Sequence, residues 1–472
     1  MRRLAVVAAA LSLFSAGEAH AARYTLEQLI AKVTAEYPGV LAARESLESA
    51  RAQLSQAQRS WAPSGDINFW MTGAGNVRCA DAKGYSSPDK ATREANCITT
   101  NVVDLHGGGA GLSLADQLDN IAPTHGIALN FSLSMLQPLY TFGKLEAAAG
   151  AAKAGIDAAK GAVDAAKADV IVNAIRAYWG LKWARAARDV LEEGITKLKE
   201  WVTKVEDEME SSNKSNYTEA DLARLKVALD NAEVVLLDIK RGLAVAVTGM
   251  KVLTGDPQAD VDEGELDLTE ATPRPVEYYE DAARMHRPEA RMLDAGAQAA
   301  HWWKRWKFSE MLPDIGIASS FSYGYAPSVD NPANGFLAHA NTLGASFALV
   351  AHSPLDFGVR LGRLAQAAAD ERAFRERRRQ ALGGISIEIN KAYADYEEAR
   401  QREKTLGHGE KVARGWYNIV DRNMSQGITI STDSRELTDA ARTYFDFRIR
   451  HLQAILDTNM ALSALHRVTG VE

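Results

Sequence analysis

The sequence predicts a mainly α-helical chain that contributes strands to a membrane β-barrel and is built as two tandem repeats. Three observations predict this class. Prolines and glycines recur along the chain in one order, four amphipathic segments are about ten residues long, and four proline-free runs favour helix. Each repeat is predicted to contain a helix, a strand, a second strand and a long helical hairpin.

Composition excludes several classes of protein. The 472 residues include 54 Lys and Arg against 61 Asp and Glu, and 46% of the residues are hydrophobic, which is enough for a folded core. The net charge of −7 argues against nucleic acid as a partner, because nucleic-acid binding favours a basic surface. Two cysteines exclude a cysteine-rich metal site. No phosphate-binding loop, nucleophile elbow or metal-ligand spacing of histidines occurs, so we expect no enzyme activity, metal or cofactor.

Residues 1–21 have the pattern of a signal peptide. Arg2 and Arg3 precede an apolar run from Leu4 to Phe14, and the sequence Ala19-His20-Ala21 is a small-residue cleavage site. We expect cleavage after Ala21. The mature protein is then exported to a compartment that permits disulfides.

The repeat is visible as two constant spacings. These spacings predict a first repeat over 22–255 and a second repeat over 276–472. The acidic, proline-bearing segment 256–275 between them is predicted to be an exposed connector. The spacing falls from 250 to 215 residues along the repeat, so the first copy carries about 35 extra residues between its two strands. The matching positions are Pro38/Pro288, Pro63/Pro313, Gly143/Gly358, Tyr178/Tyr393, Leu222/Leu437 and Gly255/Gly470.

Four segments are predicted to be strands with one apolar and one polar face. They cover about 66–73, 126–137, 314–325 and 343–352. Ordinary strands of a soluble sandwich remain an alternative, but the polar faces are small and hydroxylated, as in a barrel wall that faces water. Four strands cannot close a barrel in lipid, where every edge must be paired. Two chains would supply eight strands and three chains would supply twelve.

The long helical hairpins are predicted over 143–255 and 358–470, with tips at about 211–217 and 423–433. At about 1.5 Å per residue, a helix of about 68 residues extends roughly 100 Å. Alanine is frequent at the start of the first hairpin, and small side chains allow helix axes to approach closely. This favours a wall of helices, and a plain antiparallel coiled coil is the alternative.

The order of these elements resembles that of the TolC-like outer-membrane efflux proteins, the outer-membrane factors of tripartite efflux pumps and type I secretion. The segments that carry the resemblance are Gln137–Gly143, Thr218–Leu222, Met311–Asp314 and Leu452–Gly470. The resemblance implies a homotrimer with a twelve-stranded β-barrel in the outer membrane and a twelve-helix α-barrel in the periplasm. It also implies contact with outer-membrane lipid, a periplasmic adaptor and an inner-membrane transporter. The duct would be passive, without catalytic residues or cofactors. A secreted coiled-coil scaffold or adaptor without a pore is the alternative.

The resemblance further implies that carboxylates and polar links close the duct at the hairpin tips. The candidate carboxylates are Asp221, Asp433, Glu436 and Asp439, and the repeat spacing of 215 pairs Asp221 with Glu436. The alternative is that these are solvated carboxylates favoured by a helix N-terminus. The family has a glycine at each tip, and this chain has Ser212 in the first tip and Gly427 in the second. The candidate links are Arg224, Arg422 and Arg435.

Cys79 and Cys97 lie in the extra segment of the first repeat, which forms a cell-surface loop in the family. A disulfide between them is expected in an oxidising compartment, and two free thiols are the alternative.

Overall fold

The structure is a computed structural model. It describes residues 23–74, 77–83, 85–97, 99–102, 126–211, 217–269, 271–331, 341–425 and 434–470. The predicted signal peptide therefore lies outside the described residues, as does most of each predicted hairpin tip.

The first repeat contains a short helical pair, two long strands and a long hairpin. The described residues of the extra segment between the two long strands form two short strands and a short helix. The sequence analysis did not predict these elements because each is only four to six residues long. The elements are β1 (Arg23–Tyr24), α1 (Leu26–Glu36), α2 (Pro38–Arg59), β2 (Ser64–Ala74), β3 (Val77–Ala80), α3 (Lys90–Ala95), β4 (Thr99–Val102), β5 (Gly126–Tyr140), α4 (Lys144–Ser211) and α5 (Glu219–Thr254).

The second repeat has the same order without the extra segment. Its elements are β6 (Asp260–Val261), α6 (Val276–His286), α7 (Pro288–Ser309), β7 (Asp314–Tyr325), β8 (Thr342–His352), α8 (Phe357–Ser425) and α9 (Ser434–Thr469). None of the described helices carries a stretch that is both long enough and apolar enough to cross a lipid bilayer.

Local sequence explains where several helices begin and end. Pro38 and Pro288 are the first residues of α2 and α7, a position where the missing N–H costs no helical hydrogen bond. Thr25 caps α1 through a reciprocal capping box with Gln28. Gly255 follows α5 with a φ of 67°, a left-handed conformation that glycine adopts without strain.

The described residues divide into two compact units, and each unit draws on both repeats. We call them the helical unit, which lies within Met1–Arg51, Ala154–Gln298 and Ala373–Glu472, and the sheet unit, which lies within Ala52–Lys153 and Ala299–Arg372.

The helical unit has three apolar clusters. The first joins α1, α4 and α5 around Leu29, Leu181 and Met250. The second joins α4, α5, α8 and α9, and within it the rings of Tyr417 and Tyr444 stack with centroids 5.2 Å apart. The third joins α6, α8 and α9 around Tyr279, Tyr396 and Leu465. Burial of these faces stabilises helices whose apolar stripes would otherwise meet water.

The connector between the repeats belongs to the helical unit and is partly buried in it, instead of lying exposed as predicted. Val261 is fully buried and Leu266 is nearly so, and β6 pairs in parallel with β1. The Asp262 carboxylate accepts hydrogen bonds from the Tyr178 hydroxyl at 2.6 Å and pairs with the Lys182 ammonium at 3.2 Å. Burial alone would raise the pKa of Asp262, but these two partners outweigh it and lower the pKa. The prediction was wrong because it relied on the acidic composition of the segment, whereas a few apolar residues within it are buried.

The sheet unit contains a four-stranded antiparallel sheet in the order β2-β5-β7-β8. The predicted strand over 126–137 extends to Tyr140, past an irregularity at Pro138, where proline cannot donate to the ladder. The other three predicted strands fall within one or two residues of β2, β7 and β8.

Candidate functional site

The four-stranded sheet separates its side chains into two chemically different faces. Because residues paired across neighbouring strands lie on the same face, the register fixes the composition of each face. One apolar row is Phe69, Phe131, Tyr323 and Leu343. The next row, on the opposite face, is Asn68, Ser132, Ser322 and Gly344. The sheet therefore has the amphipathic character that the alternation predicts.

The apolar face lies open to solvent in the single chain. Phe69 is 66% exposed, Leu343 is 74% exposed and Phe347 is 82% exposed. Burying apolar surface contributes about 25 cal/mol per Å², so a continuous apolar face of this kind is stabilised only when lipid or protein covers it.

Aromatic side chains lie near both ends of this face. Tyr140 pairs with Ile315 at one end, and Tyr325 pairs with Leu129 at the other. From Ile315 to Tyr325 there are ten steps along β7, which extend roughly 33 Å at about 3.3 Å per residue. A tilt of about 40° reduces this to about 25 Å, the height of the apolar band on membrane barrels, where aromatic residues mark both interfaces.

The opposite face carries mostly small or polar side chains, with Trp70 and Leu136 as larger apolar members. The hydroxyls of Ser320 and Ser346 are hydrogen-bonded at 2.7 Å across β7 and β8. Asp66 pairs with Ser134 in the same row and places a carboxylate on this face. Small hydroxylated side chains are suited to a wall that faces water.

The two outer strands leave their edges open. Within the described residues, β2 pairs only with β5, and β8 pairs only with β7. Each outer strand has 11 residues. Long edges of this kind present a row of backbone N–H and C=O groups to a further strand.

Of the candidate gate residues, Asp221 is the one whose contacts the structure describes most fully. It is the third residue of α5, where its carboxylate accepts hydrogen bonds from the backbone N–H of Thr218 at 2.9 Å and from the Thr218 hydroxyl at 2.7 Å. The Arg224 guanidinium lies 3.4 Å from its second oxygen. Asp221 is 9% exposed, so it is a capping residue of α5 rather than a fully solvated carboxylate.

The remaining gate candidates belong to the second hairpin, apart from Ser212, which belongs to the first. Glu436 lies in the first turn of α9, and the structure places Glu436, Asp439 and Arg435 with exposed side chains. Arg422 is exposed in the last turn of α8. Three further candidates, Asp433, Ser212 and Gly427, lie outside the described residues.

Cys79 and Cys97 are joined by a disulfide, with their Cα atoms 5.0 Å apart. A buried ion pair adjoins it, which the sequence did not reveal because its members are 237 residues apart. Asp330, only 1% exposed, accepts hydrogen bonds from Arg93 Nε at 2.6 Å, Arg93 Nη2 at 3.0 Å and the Cys79 backbone N–H at 3.1 Å. The ion pair fastens the segment 77–97 to the loop that follows β7.

Among the residues that the structure describes, no three His, Cys, Asp or Glu side chains come together in a way that could hold a metal ion.

Comparison with solved structures gives the same fold over nearly the whole chain. The outer-membrane channel OprN superposes with a TM-score of 0.71 at 16% identity, covering 96% of this chain and 94% of OprN. CusC, whose transmembrane channel formation has been described structurally, gives 0.70 at 15% identity, covering 96% of this chain and 93% of CusC. The CmeC outer-membrane channel of Campylobacter jejuni gives 0.70 at 14% identity, covering 94% of this chain and 85% of CmeC.

The chain has the fold of these outer-membrane channels. The resemblance to TolC-like proteins expected from the sequence is therefore confirmed for the fold. No protein-family model and no curated protein sequence matches the chain.

Proposed function

We propose that the chain is one subunit of a trimeric outer-membrane channel that serves as a passive exit duct. The observation that carries this proposal is the open sheet, with an exposed apolar face and two unpaired edges. Strand direction alternates through β2, β5, β7 and β8, so β8 of one copy meets β2 of the next in antiparallel order. Three copies then form a twelve-stranded barrel without an open edge, and the number three rests on the resemblance to the TolC-like proteins.

The helical unit supports assembly independently of the sheet. Large apolar side chains on one face of α5 are exposed at spacings of three, seven and eight residues, which recur on one side of a helix. A second set of exposed apolar side chains lies along one face of α8. The members of the α5 stripe are Val227, Val234, Leu237, Val245 and Val252, and those of the α8 stripe are Ile387, Val412, Trp416 and Ile419. We propose that the α5 stripe of one copy packs against the α8 stripe of the next and completes a twelve-helix α-barrel.

The partners and location follow from the same proposal. The channel lies in the outer membrane, contacts its lipid through the apolar face of the sheet, and extends into the periplasm. A periplasmic adaptor and an inner-membrane transporter deliver the cargo, in drug efflux or in type I secretion. The chain itself performs no chemistry. A coiled-coil scaffold without a pore is less well supported, because it gives the exposed apolar face of the sheet no cover.

Membrane insertion and conductance test the proposal together. The full-length chain is produced with its signal sequence, the outer-membrane fraction is extracted in detergent, and the oligomer is weighed by native mass spectrometry. The purified oligomer is then added to planar lipid bilayers. We expect a trimer in the outer-membrane fraction and stepwise single-channel currents. A monodisperse soluble monomer without affinity for detergent or lipid would contradict the proposal.

A further inference from the structure

Within the sheet unit, the start of α4 packs against the end of α7 and the residue that opens β7. The Trp302 ring lies against the backbone of Gly150, where a Cβ would come within 2.4 Å of it. Two ion pairs flank this ring, and they are Lys144–Asp314 and Glu146–Arg305, the second at 3.8 Å. The contact joins an element of the first repeat to an element of the second.

The repeat gives this contact a counterpart. At the spacing of 215 residues α8 corresponds to α4, and at the spacing of 250 residues α2 corresponds to α7. Within one chain, however, α2 leads into β2 and α8 follows β8, and these are the two outer strands of the sheet. The counterpart contact, between α8 and α2, can therefore form only between two copies of the chain.

The surface of α8 that corresponds to the covered surface of α4 is open in the single chain. Ala147 of α4 is fully buried, whereas its counterpart Gly362 is exposed. Val359 and Leu361 are both more than half exposed. Leu361 and Ala365 also line an open groove of about 670 Å³ between α7 and α8. The start of α8 thus lacks the cover that α7 gives to the start of α4.

The charges of the α4–α7 contact are absent from the counterpart positions on both sides. The counterparts are Val359 and Ser64 for Lys144 and Asp314, Leu361 and Ser55 for Glu146 and Arg305, and Ala365 and Ala52 for Gly150 and Trp302. A charge kept on one side alone would lie unpaired in a covered contact, which is costly. Because both members of both ion pairs are replaced by uncharged residues, the two surfaces match each other.

The strand pairing proposed above brings these two surfaces to the same place. If β8 pairs with β2 of a neighbouring copy in antiparallel order, the end of β8 at His352 meets the start of β2 at Ser64. The helix α8 begins at Phe357 and α2 ends at Arg59, each a few residues from its strand. The start of α8 therefore lies beside the end of the neighbouring α2.

We propose that the start of α8 packs against the end of α2 of a neighbouring copy in a contact without charges. Leu361 faces Ser55, Val359 faces Ser64 and Ala365 faces Ala52 of that copy. The inference rests on the proposed channel and names the helix contact that joins its subunits next to the sheet. This contact repeats the arrangement of α4 and α7, with apolar packing in place of the ion pairs.

Disulfide cross-linking of the full chain in outer-membrane fractions tests the contact. We expect the pair Ser55→Cys and Leu361→Cys to give covalent dimers and trimers on oxidation, because a disulfide forms only where two Cβ atoms lie within about 4.5 Å. The two native cysteines are already joined to each other. The control pair is Ser55→Cys with Arg363→Cys, since Arg363 is exposed and lies about 200° around α8 from Leu361. The test pair should give at least about tenfold more covalent oligomer than the control pair.

A transplanted ion pair supplies a second test. Leu361→Glu places a carboxylate in the contact, and we expect the ratio of trimer to monomer in native mass spectrometry to fall at least about tenfold. Adding Ser55→Arg recreates the pairing that Glu146 and Arg305 make within the chain. This double variant should return the ratio to within about threefold of the wild-type value.

The outcomes separate this contact from the proposed channel. Equal cross-linking by the two cysteine pairs, or a failure of Ser55→Arg to rescue Leu361→Glu, would overturn the contact even if the wild-type chain forms a conducting trimer. A wild-type chain that stays monomeric would overturn the contact together with the channel.

Discussion

Asn130 and Phe131 are neighbours in β5 whose side chains lie on opposite faces of the sheet. The proposed channel gives the two positions different surroundings, lipid for Phe131 and water for Asn130. A charge that faces lipid near the middle of a membrane barrel costs about 2–4 kcal/mol, whereas a charge that faces the lumen remains hydrated.

We therefore expect Phe131→Arg to reduce the amount of folded protein in the outer membrane several-fold and Asn130→Arg to leave it nearly unchanged. Heat-modifiable mobility of the protein in outer-membrane fractions measures the folded amount. Equal effects of the two substitutions would contradict the assignment of the Phe131 face to lipid and the Asn130 face to water.

Asp330 is buried and forms an ion pair with Arg93. Replacing it with Asn leaves the buried Arg93 guanidinium without a counter-charge, and breaking a buried ion pair in this way costs about 3 kcal/mol. We expect protection of segment 77–97 against hydrogen exchange to fall roughly a hundredfold. The control is Glu94→Gln, which keeps an oxygen for the hydrogen bond from the Asn331 N–H. Similar losses in both variants would show that Asp330 has no special role.

The pH dependence of this ion pair has a definite sign. Burial alone would raise the pKa of Asp330, but the hydrogen bonds from Arg93 and from the Cys79 N–H, with the charges of Arg93 and Arg78, outweigh it and lower the pKa. A lowered carboxyl pKa stabilises the fold above the unfolded value of about 3.9, and this contribution is lost as the pH falls through the still lower folded value. Protection of segment 77–97 should therefore be the same at pH 7 and pH 5, and should fall only below about pH 4.

At the scale of elements, the periodic parts of the chain could be predicted and the non-local contacts could not. Alternation in β5 and β7, and the absence of proline from α4 and α8, act over neighbouring residues, so the sequence displays them directly. The pairing of Arg93 with Asp330 joins positions 237 residues apart, and no local pattern encodes it. Of the candidate gate, the sequence identified Asp221 as an acid at the start of a helix, but its burial and its bonds to Thr218 depend on folding.

The exposed stripe on α5 allows an element-scale test of assembly. Val234 and Leu237 are 60% and 67% exposed in the single chain, and the proposed neighbouring copy buries them. Replacing both residues with glutamate removes buried apolar surface from the proposed interface. It also places two charges in an apolar environment, which costs free energy of association. We expect Val234→Glu combined with Leu237→Glu to dissociate the oligomer in detergent at micromolar concentration.

Val235 supplies the matched control for this stripe. It is also exposed, at 45%, but lies about 100° around the helix from Val234. Val235→Glu should leave the oligomer intact by native mass spectrometry. A trimer that survives the double substitution would exclude the α5 stripe from the interface between copies.

At the scale of the whole molecule, three-fold assembly multiplies every charge near the proposed axis. Asp433, Glu436 and Asp439 in three copies would give nine carboxylates near the proposed closed end of the duct. Carboxylates that surround a narrow passage attract cations and repel anions, and they bind polyvalent cations more tightly than monovalent ones. The exposed positions of Glu436 and Asp439 at the start of α9 are compatible with this role.

Replacing the three acids together with alanine should therefore shift the reversal potential in a salt gradient towards zero, because the passage loses its preference for cations. Block by a trivalent cation added to the periplasmic side should weaken at least about tenfold, since most of the local negative charge is gone. The control is Asp446→Ala, which should change neither quantity. Asp446 is exposed, lies two to three turns further along α9 and pairs with Arg450. If the triple variant conducts with wild-type selectivity and wild-type block, the carboxylates at the start of α9 do not line the passage, and the constriction must be formed by other residues.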